Sequence, residues 1–197
     1  MSRKISVKRA SLRFIKELEA IEEFLEIPAI SSLSAEHRAW CYDYAIIRTY
    51  RGFEEVILKT IIAAINNSPA TISHATGISF PRHLSQDVCR YLVLGNGYFD
   101  FKGRDGLIGK LRRYLPENHF LVRSVKDETL KQSLERLSSL RNLAAHDSIQ
   151  AKRAALKSTG QQRLKSTGHW LLKHRRCFKI TNDMKLFAAD LWRSAPF

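Results

Sequence analysis

Arg141, Asn142 and His146 are the residues whose types and spacing most plainly invite chemistry. They close a segment in which leucines recur by fours and threes: Leu130, Leu134, Leu137, then Arg141 and Ala144. Such spacing is the apolar seam of a helix, and an arginine stands where the next leucine belongs. A guanidinium keeps its proton, and burying it alone is costly, so something anionic is expected to meet it. His146 lies four places after Asn142 and shares its helix face. Arg141 is five places from His146, about 140° around an ideal helix. The two converge only if the helix tightens or ends between them, or if a second copy completes the site. A second seam, Trp40, Tyr44, Ile47, Arg51, Glu54, Leu58, Ile61 and Ile65, is broken in the same way by Arg51 and Glu54. Tyr50, Phe53 and Ile57 flank Glu54 on the neighbouring ridge and predict a partly buried carboxylate. Glu54 and Arg141, paired across packed helices, are either a plain structural ion pair or part of a functional cleft with Arg51 beside it.

The string Leu137-Ser138-Ser139-Leu140-Arg141-Asn142-Leu143-Ala144-Ala145-His146-Asp147 resembles the RxxxxH motif of the HEPN (higher eukaryotes and prokaryotes nucleotide-binding) superfamily. There, Arg, a polar residue and His end a leucine-rich helix. The stretch from Tyr44 to Glu54 looks like the first core helix of the RiboL-PSP-HEPN type, whose aromatic-Glu pair packs on the motif helix. The likeness covers residues 35–66 and 127–147. It implies an all-α HEPN-like helical bundle of about five to seven helices, with at most a minor β element. It also implies an endoribonuclease that needs neither metal nor cofactor. RNA brings its own nucleophile, the 2′-OH. Cleavage then needs a base for that proton, a cation for the crowded phosphate and an acid for the leaving 5′-oxygen.

In that scheme His146 is base or acid near neutral pH, and Arg141 grips phosphate oxygens through two N–H groups. Asn142 orients the imidazole or a phosphate oxygen. Two protomers would meet across a two-fold interface, and the products would be a 2′,3′-cyclic phosphate and a 5′-hydroxyl. Family members paired with a nucleotidyltransferase antitoxin carry a tyrosine two places after the histidine; here that place is Ser148. The family supplies a toxin or antiviral-defence role, with an antitoxin or regulatory partner. The alternative is a non-catalytic HEPN module that binds RNA or a nucleotide, or mediates assembly.

Helices must hold these groups. Leu12, Ile15, Leu18, Ile21 and Leu25 predict an amphipathic helix over about 7–27, stopped by Pro28. The longest pattern runs over about 35–66, with Gly52 a candidate kink. Residues 70–83, with Gly77 and Pro81, read as a loop, and helices follow over about 84–94 and 105–115. Ser124-x-x-Asp127 looks like a capping box that opens the leucine helix, which reaches about Ala145. A last helix over about 183–192 turns Met184, Phe187 and Leu191 inward. Cys177-Phe178-Lys179-Ile180 is the one faint strand candidate. The pentapeptide Leu-Lys-Ser-Thr-Gly occurs at 156–160 and 164–168 and reads as helix-end or turn sequence. One domain over 1–197 is expected: an N-terminal helix (1–30), a core with the RNxxxH motif (35–147), and a basic extension with the C-terminal helix (148–197).

Composition narrows the partners. Of 197 residues, 33 are Lys or Arg and 19 Asp or Glu, a formal charge of +14. That surplus favours nucleic acid or an acidic surface. No acidic residue occurs from Ser148 to Asn182. Lys152, Arg153, Lys173, Arg175 and Arg176 are the candidate RNA-binding cations of that stretch, with a solvated charged face as the other reading. Arg112-Arg113-Tyr114 is open to the same two readings. His169, His174 and Cys177 have a loosely metal-like spacing without an apparent fourth ligand, so no metal is expected. Cys41, Cys89 and Cys177 are odd in number and form no CxxC, which points to a reducing cytoplasm. The basic opening Met1-Ser2-Arg3-Lys4 leads into no apolar run, and no stretch approaches the roughly 18 residues of a membrane span. Motifs for nucleotide hydrolysis, serine hydrolysis, zincins and dinucleotide binding are absent.

Overall fold

The computed structural model describes residues 5–196, apart from the side chains of residues 74 and 75. The basic opening residues 1–4 lie outside them. Helix α1 (Val7–Glu26) begins at Ser6, whose hydroxyl accepts from the Arg9 amide. Phe14, Leu18, Ile21 and Leu25 face the core, whereas Leu12 is exposed. Ile27, ahead of Pro28, is forced out of helical geometry and ends α1. One turn, α2 (Pro28–Ser31), leads to α3 (Ala35–Asn67), which Ser34 caps by accepting from the His37 amide.

Helix α3 runs unbroken through Gly52. Gly52 marks a crossing: a Cβ there would sit 2.8 Å from the ring of Phe14 on α1. Helices α4 (Ala70–Thr76) and α5 (Gln86–Leu94) follow, so the loop expected over 70–83 holds one short helix. Next come α6 (Gly103–Leu111), α7 (Phe120–Lys126) and α8 (Glu128–His146). The capping box at Ser124 does not form. Asp127 caps α8 by accepting from the Thr129 amide, and the Ser124 hydroxyl donates to Asp190 instead.

Helix α9 (Ile149–Thr159) ends at Gly160 in the left-handed region, and α10 (Thr167–Leu172) starts after Ser166, whose hydroxyl accepts from His169. The repeated pentapeptide thus ends one helix and begins another. A 3-10 turn, Lys173–Arg175, joins α10 to α11 (Arg176–Ser194). Residues 177–180 belong to that last helix, because Cys177, Ile180, Thr181, Met184 and Phe187 continue its buried stripe. The protein is all-α, with no strand among the described residues and more helical segments than the five to seven expected.

Helix α3 runs through the centre and packs on α1, α5, α8, α10 and α11. One apolar cluster extends from Val7 to Ala195, so the basic extension is built into the core. Phe53 of α3 meets Phe101 and Phe187, tying it to the chain before α6 and to α11. Gly168 lets α10 approach α3 so closely that any Cβ would run into the Ala39 carbonyl; its amide donates to Asp43 at 2.6 Å. Arg104, 6% exposed, donates to the carbonyls of Val125 and Lys126 and to Glu128, and so locks α7 to the root of α8. No helix among the described residues is long and apolar enough to cross a membrane.

Candidate functional site

Helix α8 buries Leu130, Leu134 and Leu137, then Leu140 and Leu143. The buried stripe drifts by one position at its last turns, which turns Arg141 and Ala144 to the side. Arg141 is therefore half-buried at the edge of the α3 contact. Its guanidinium carbon lies 4.7 Å from the centre of the Tyr50 ring, a cation–π contact against a phenol that is itself buried. One of its nitrogens donates to Asn142 Oδ1 at 2.8 Å.

Glu54 stands one turn along α3 from Tyr50. It shares with Arg141 and Arg51 a cleft of about 780 Å³, whose far wall is Arg90, Tyr98, Phe99 and Asp100. Burial raises the Glu54 carboxyl above its ordinary value, while Arg141 and the Tyr50 hydroxyl oppose the shift without cancelling it. The tight salt bridge is absent: no Glu54–Arg141 ion pair within 4.0 Å occurs among the described residues, and Arg141 leans on Tyr50 and Asn142 instead. Arg51 is exposed at the cleft rim and does not interrupt a buried seam. Trp40 and Tyr44, of the same expected seam, are also exposed, because Tyr42, Ile46 and Phe53 form the buried ridge of α3.

His146, on the last turn of α8, is exposed. Helix geometry persists through it, so nothing tightens between it and Arg141. Asp147, left-handed at φ 38°, then ends the helix, and its amide donates to the Leu143 carbonyl at 3.1 Å. Ser148 accepts from the Ala151 amide at 3.1 Å and starts α9, so the hydroxyl two places after the histidine is a helix cap. His146 and Asn142 line a groove of about 480 Å³ with Ser138, Ser139, Gln150 and Lys102.

Arg141 and His146 accordingly open into two adjacent depressions, and Asn142 belongs to both through its bond to Arg141 and its place in the His146 groove. Within one chain the site holds a half-buried guanidinium beside a carboxyl that burial raises on one side. On the other it holds an accessible imidazole among hydroxyls, amides and the charged Lys102 and Glu135.

The cationic candidates divide. Lys152 and Arg153 project from α9 and are exposed, with no ion pair among the described residues, and Lys173 is equally open. Arg175 is engaged by Glu26 at 3.0 Å and covers Phe178. Arg176 lies 4.5 Å from the Trp170 ring centre and donates to the Trp170 carbonyl. Arg112 is held by Glu117. His169 bonds Ser166 and Lys165, and no group of three or more potential metal ligands occurs among the described residues. The residues that sequence reasoning missed are Arg90, Tyr98 and Asp100 on the cleft wall and Lys102 and Gln150 in the groove. The aromatic run after Gly95-Asn96-Gly97 was the only signal that could have drawn attention to the first group. No family model, curated protein or solved structure matches this chain.

Proposed function

We propose that this protein is an endoribonuclease of the HEPN type that cleaves RNA by attack of the 2′-OH, without a metal ion. The observation that carries the reading is the Arg141–Asn142–His146 ridge between two open clefts. His146 is accessible for proton transfer, and Arg141 is preset by Tyr50 and Asn142 to meet an anion. A base removes the 2′-OH proton, the 2′-oxygen bonds to phosphorus, and the phosphorus–O5′ bond breaks as O5′ takes a proton. The products are a 2′,3′-cyclic phosphate and a 5′-hydroxyl.

Since Arg141 and His146 face different clefts of one chain, the complete centre in this reading belongs to a two-fold homodimer. The Arg141 cleft of one copy would face the His146 groove of the other. A role as toxin or antiviral-defence effector, held in check by an antitoxin or regulatory partner, accords with such an activity.

A second reading has its own support. Arg141 is already occupied by Tyr50 and Asn142 and turned away from His146, as suits a module that binds RNA or a nucleotide, or mediates assembly, without cutting. Incubation of the purified protein with total RNA in EDTA, followed by end-group mapping, separates the two. Cyclic phosphate ends that vanish when the cut position is 2′-deoxy support the nuclease. Cutting that survives a 2′-deoxy position would mean that water or a metal-bound hydroxide attacks and His146 is misassigned.

A further inference from the structure

The cleft below Arg141 does not close at its far wall. A second depression of about 440 Å³, floored by α5 and the turn after it, shares Leu58, Arg90, Tyr98 and Phe99 with the first. Two phenol rings stand bare along this joined surface: Tyr98 is 94% exposed and Tyr91 61%. The backbone keeps Tyr98 there. Gly95, at φ +57°, ends α5 in a conformation that side chains rarely tolerate. Phe99, the next residue, is buried and meets Phe101 edge-on with centroids 5.8 Å apart. Exposed and buried residues alternate from Tyr98 to Lys102, so anchoring Phe99 and Phe101 inward holds Tyr98 outward.

The charges of the surface sort themselves. Glu55 is bound by Lys59 at 2.6 Å, Glu54 faces Arg141, and Asp100 lies in the field of Lys110. Asp87 sits in the first turn of α5, where the helix amides favour an anion. Arg51 and Arg90 are exposed and make no ion pair with any described residue. Bare aromatic rings beside uncommitted guanidinium groups suit a strand whose base faces and phosphates are both available. A duplex hides its base faces and leaves nothing to stack on the two rings.

We propose that the two depressions form one groove for single-stranded RNA, with phosphates passing Arg51, Arg90 and Arg141 and bases stacking on Tyr98 and Tyr91. The inference rests on the RNA reading above and not on cleavage. It is tested by fluorescence anisotropy of the full chain with a labelled oligoadenylate of 2′-O-methyl sugars, which attack by the 2′-oxygen cannot cut. Tyr98→Ala and Tyr91→Ala should each weaken binding about five- to hundredfold, and Tyr98→Phe, which keeps the stacking face, should not. Arg90→Ala should lower the slope of log affinity against log salt by about one. The same oligonucleotide annealed to its complement should bind with no response to the tyrosine variants.

Wild-type affinity in both alanine variants would overturn the groove. So would a loss in Tyr98→Phe equal to that in Tyr98→Ala, or a change confined to oligomeric state. Parallel RNA digestion distinguishes the two readings. Tyrosine-dependent binding without cutting rejects the nuclease and keeps the groove, and cutting with tyrosine-indifferent binding does the reverse.

Discussion

The guanidinium of Arg141 rests on the ring of Tyr50, 4.7 Å from its centre, while the Glu54 carboxylate one turn further along α3 stands beside the pair. A cation over a phenol is attracted without being neutralised, so Arg141 keeps its full charge for a ligand. Asn142 takes one of its donors at 2.8 Å and leaves the rest of the fork available.

On the nuclease reading, Arg141→Ala or His146→Ala should each lower RNA cleavage about 100- to 10,000-fold; His146→Ala should leave RNA affinity unchanged, and Arg141→Ala should lose only one phosphate contact of it. His146 is exposed, so its replacement should move stability by no more than about 0.5 kcal/mol. Single-turnover cleavage, anisotropy and thermal melts on the same preparations check all three.

Glu54 should give stability a pH dependence of unusual sign for a carboxylate. Its folded value is raised above 4.5, so the folded state holds the proton more tightly than the unfolded chain. Stability is then lost as pH rises from the unfolded value through the folded one, and the loss is complete above it. Glu54→Gln should therefore melt higher than wild type at pH 7, with the difference shrinking to nothing below pH 4.5. A difference constant with pH would refute the assignment.

His119 should act in the opposite direction. Burial, aided by Arg123, pushes its imidazole from 6.5 down to about 4, and its Nδ1 accepts from the Leu121 amide at the start of α7. The unfolded chain takes up a proton below pH 6.5 that the folded one refuses, so stability is lost as pH falls from 6.5 towards 4. His119→Asn, which retains a capping side chain, should flatten the melting temperature over that window.

Gly168→Ala should cost about 3 kcal/mol, the upper end of overpacking, because the obstacle is the Ala39 carbonyl and not a movable side chain. For a chain of this size that is roughly a 6–12 °C fall in melting temperature. Gly52→Ala meets side chains rather than backbone, the Phe14 ring at 2.8 Å and Glu17 Oε2 at 3.0 Å, so Phe14→Leu should restore part of its loss. Calorimetry on the four proteins decides it.

The helices that matter most were legible because they are long and strongly periodic. Pro28 and Ser34 bound α1 and α3, and the leucine spacing marked α8. The phase of α3 was not legible. A helix of 33 residues, about 50 Å long, meets different neighbours along its length, so no single seam describes it. Its first half turns Tyr42 and Ile46 inward and leaves Trp40 and Tyr44 bare. The Arg141–Tyr50 contact escaped notice because charge complementarity directs attention to carboxylates, whereas an aromatic face also receives a cation. Arg90 and Tyr98 reach the cleft through tertiary folding from residues far along the chain, and local periodicity carries no trace of such an approach. Arg175 and Arg176 looked like free charge in a string of bases, but Glu26 and Trp170, distant in sequence or hidden by the turn, already hold them.

The joint between α8 and α9 is two residues long, with Asp147 ending one helix and Ser148 starting the next. Asp147 acts through its amide, which donates to the Leu143 carbonyl, and Ser148 through its hydroxyl, which accepts from the Ala151 amide, so neither helix can swivel without losing a cap. Lys152 and Arg153 are consequently held at a set bearing from His146, like two arms of a rigid bracket. Inserting one residue between Ser148 and Lys152 would carry the cations about 100° round the axis of α9. The imidazole would stay in place while the two cations turned away from it, so the length of this corner, with its two caps, sets the angle between them.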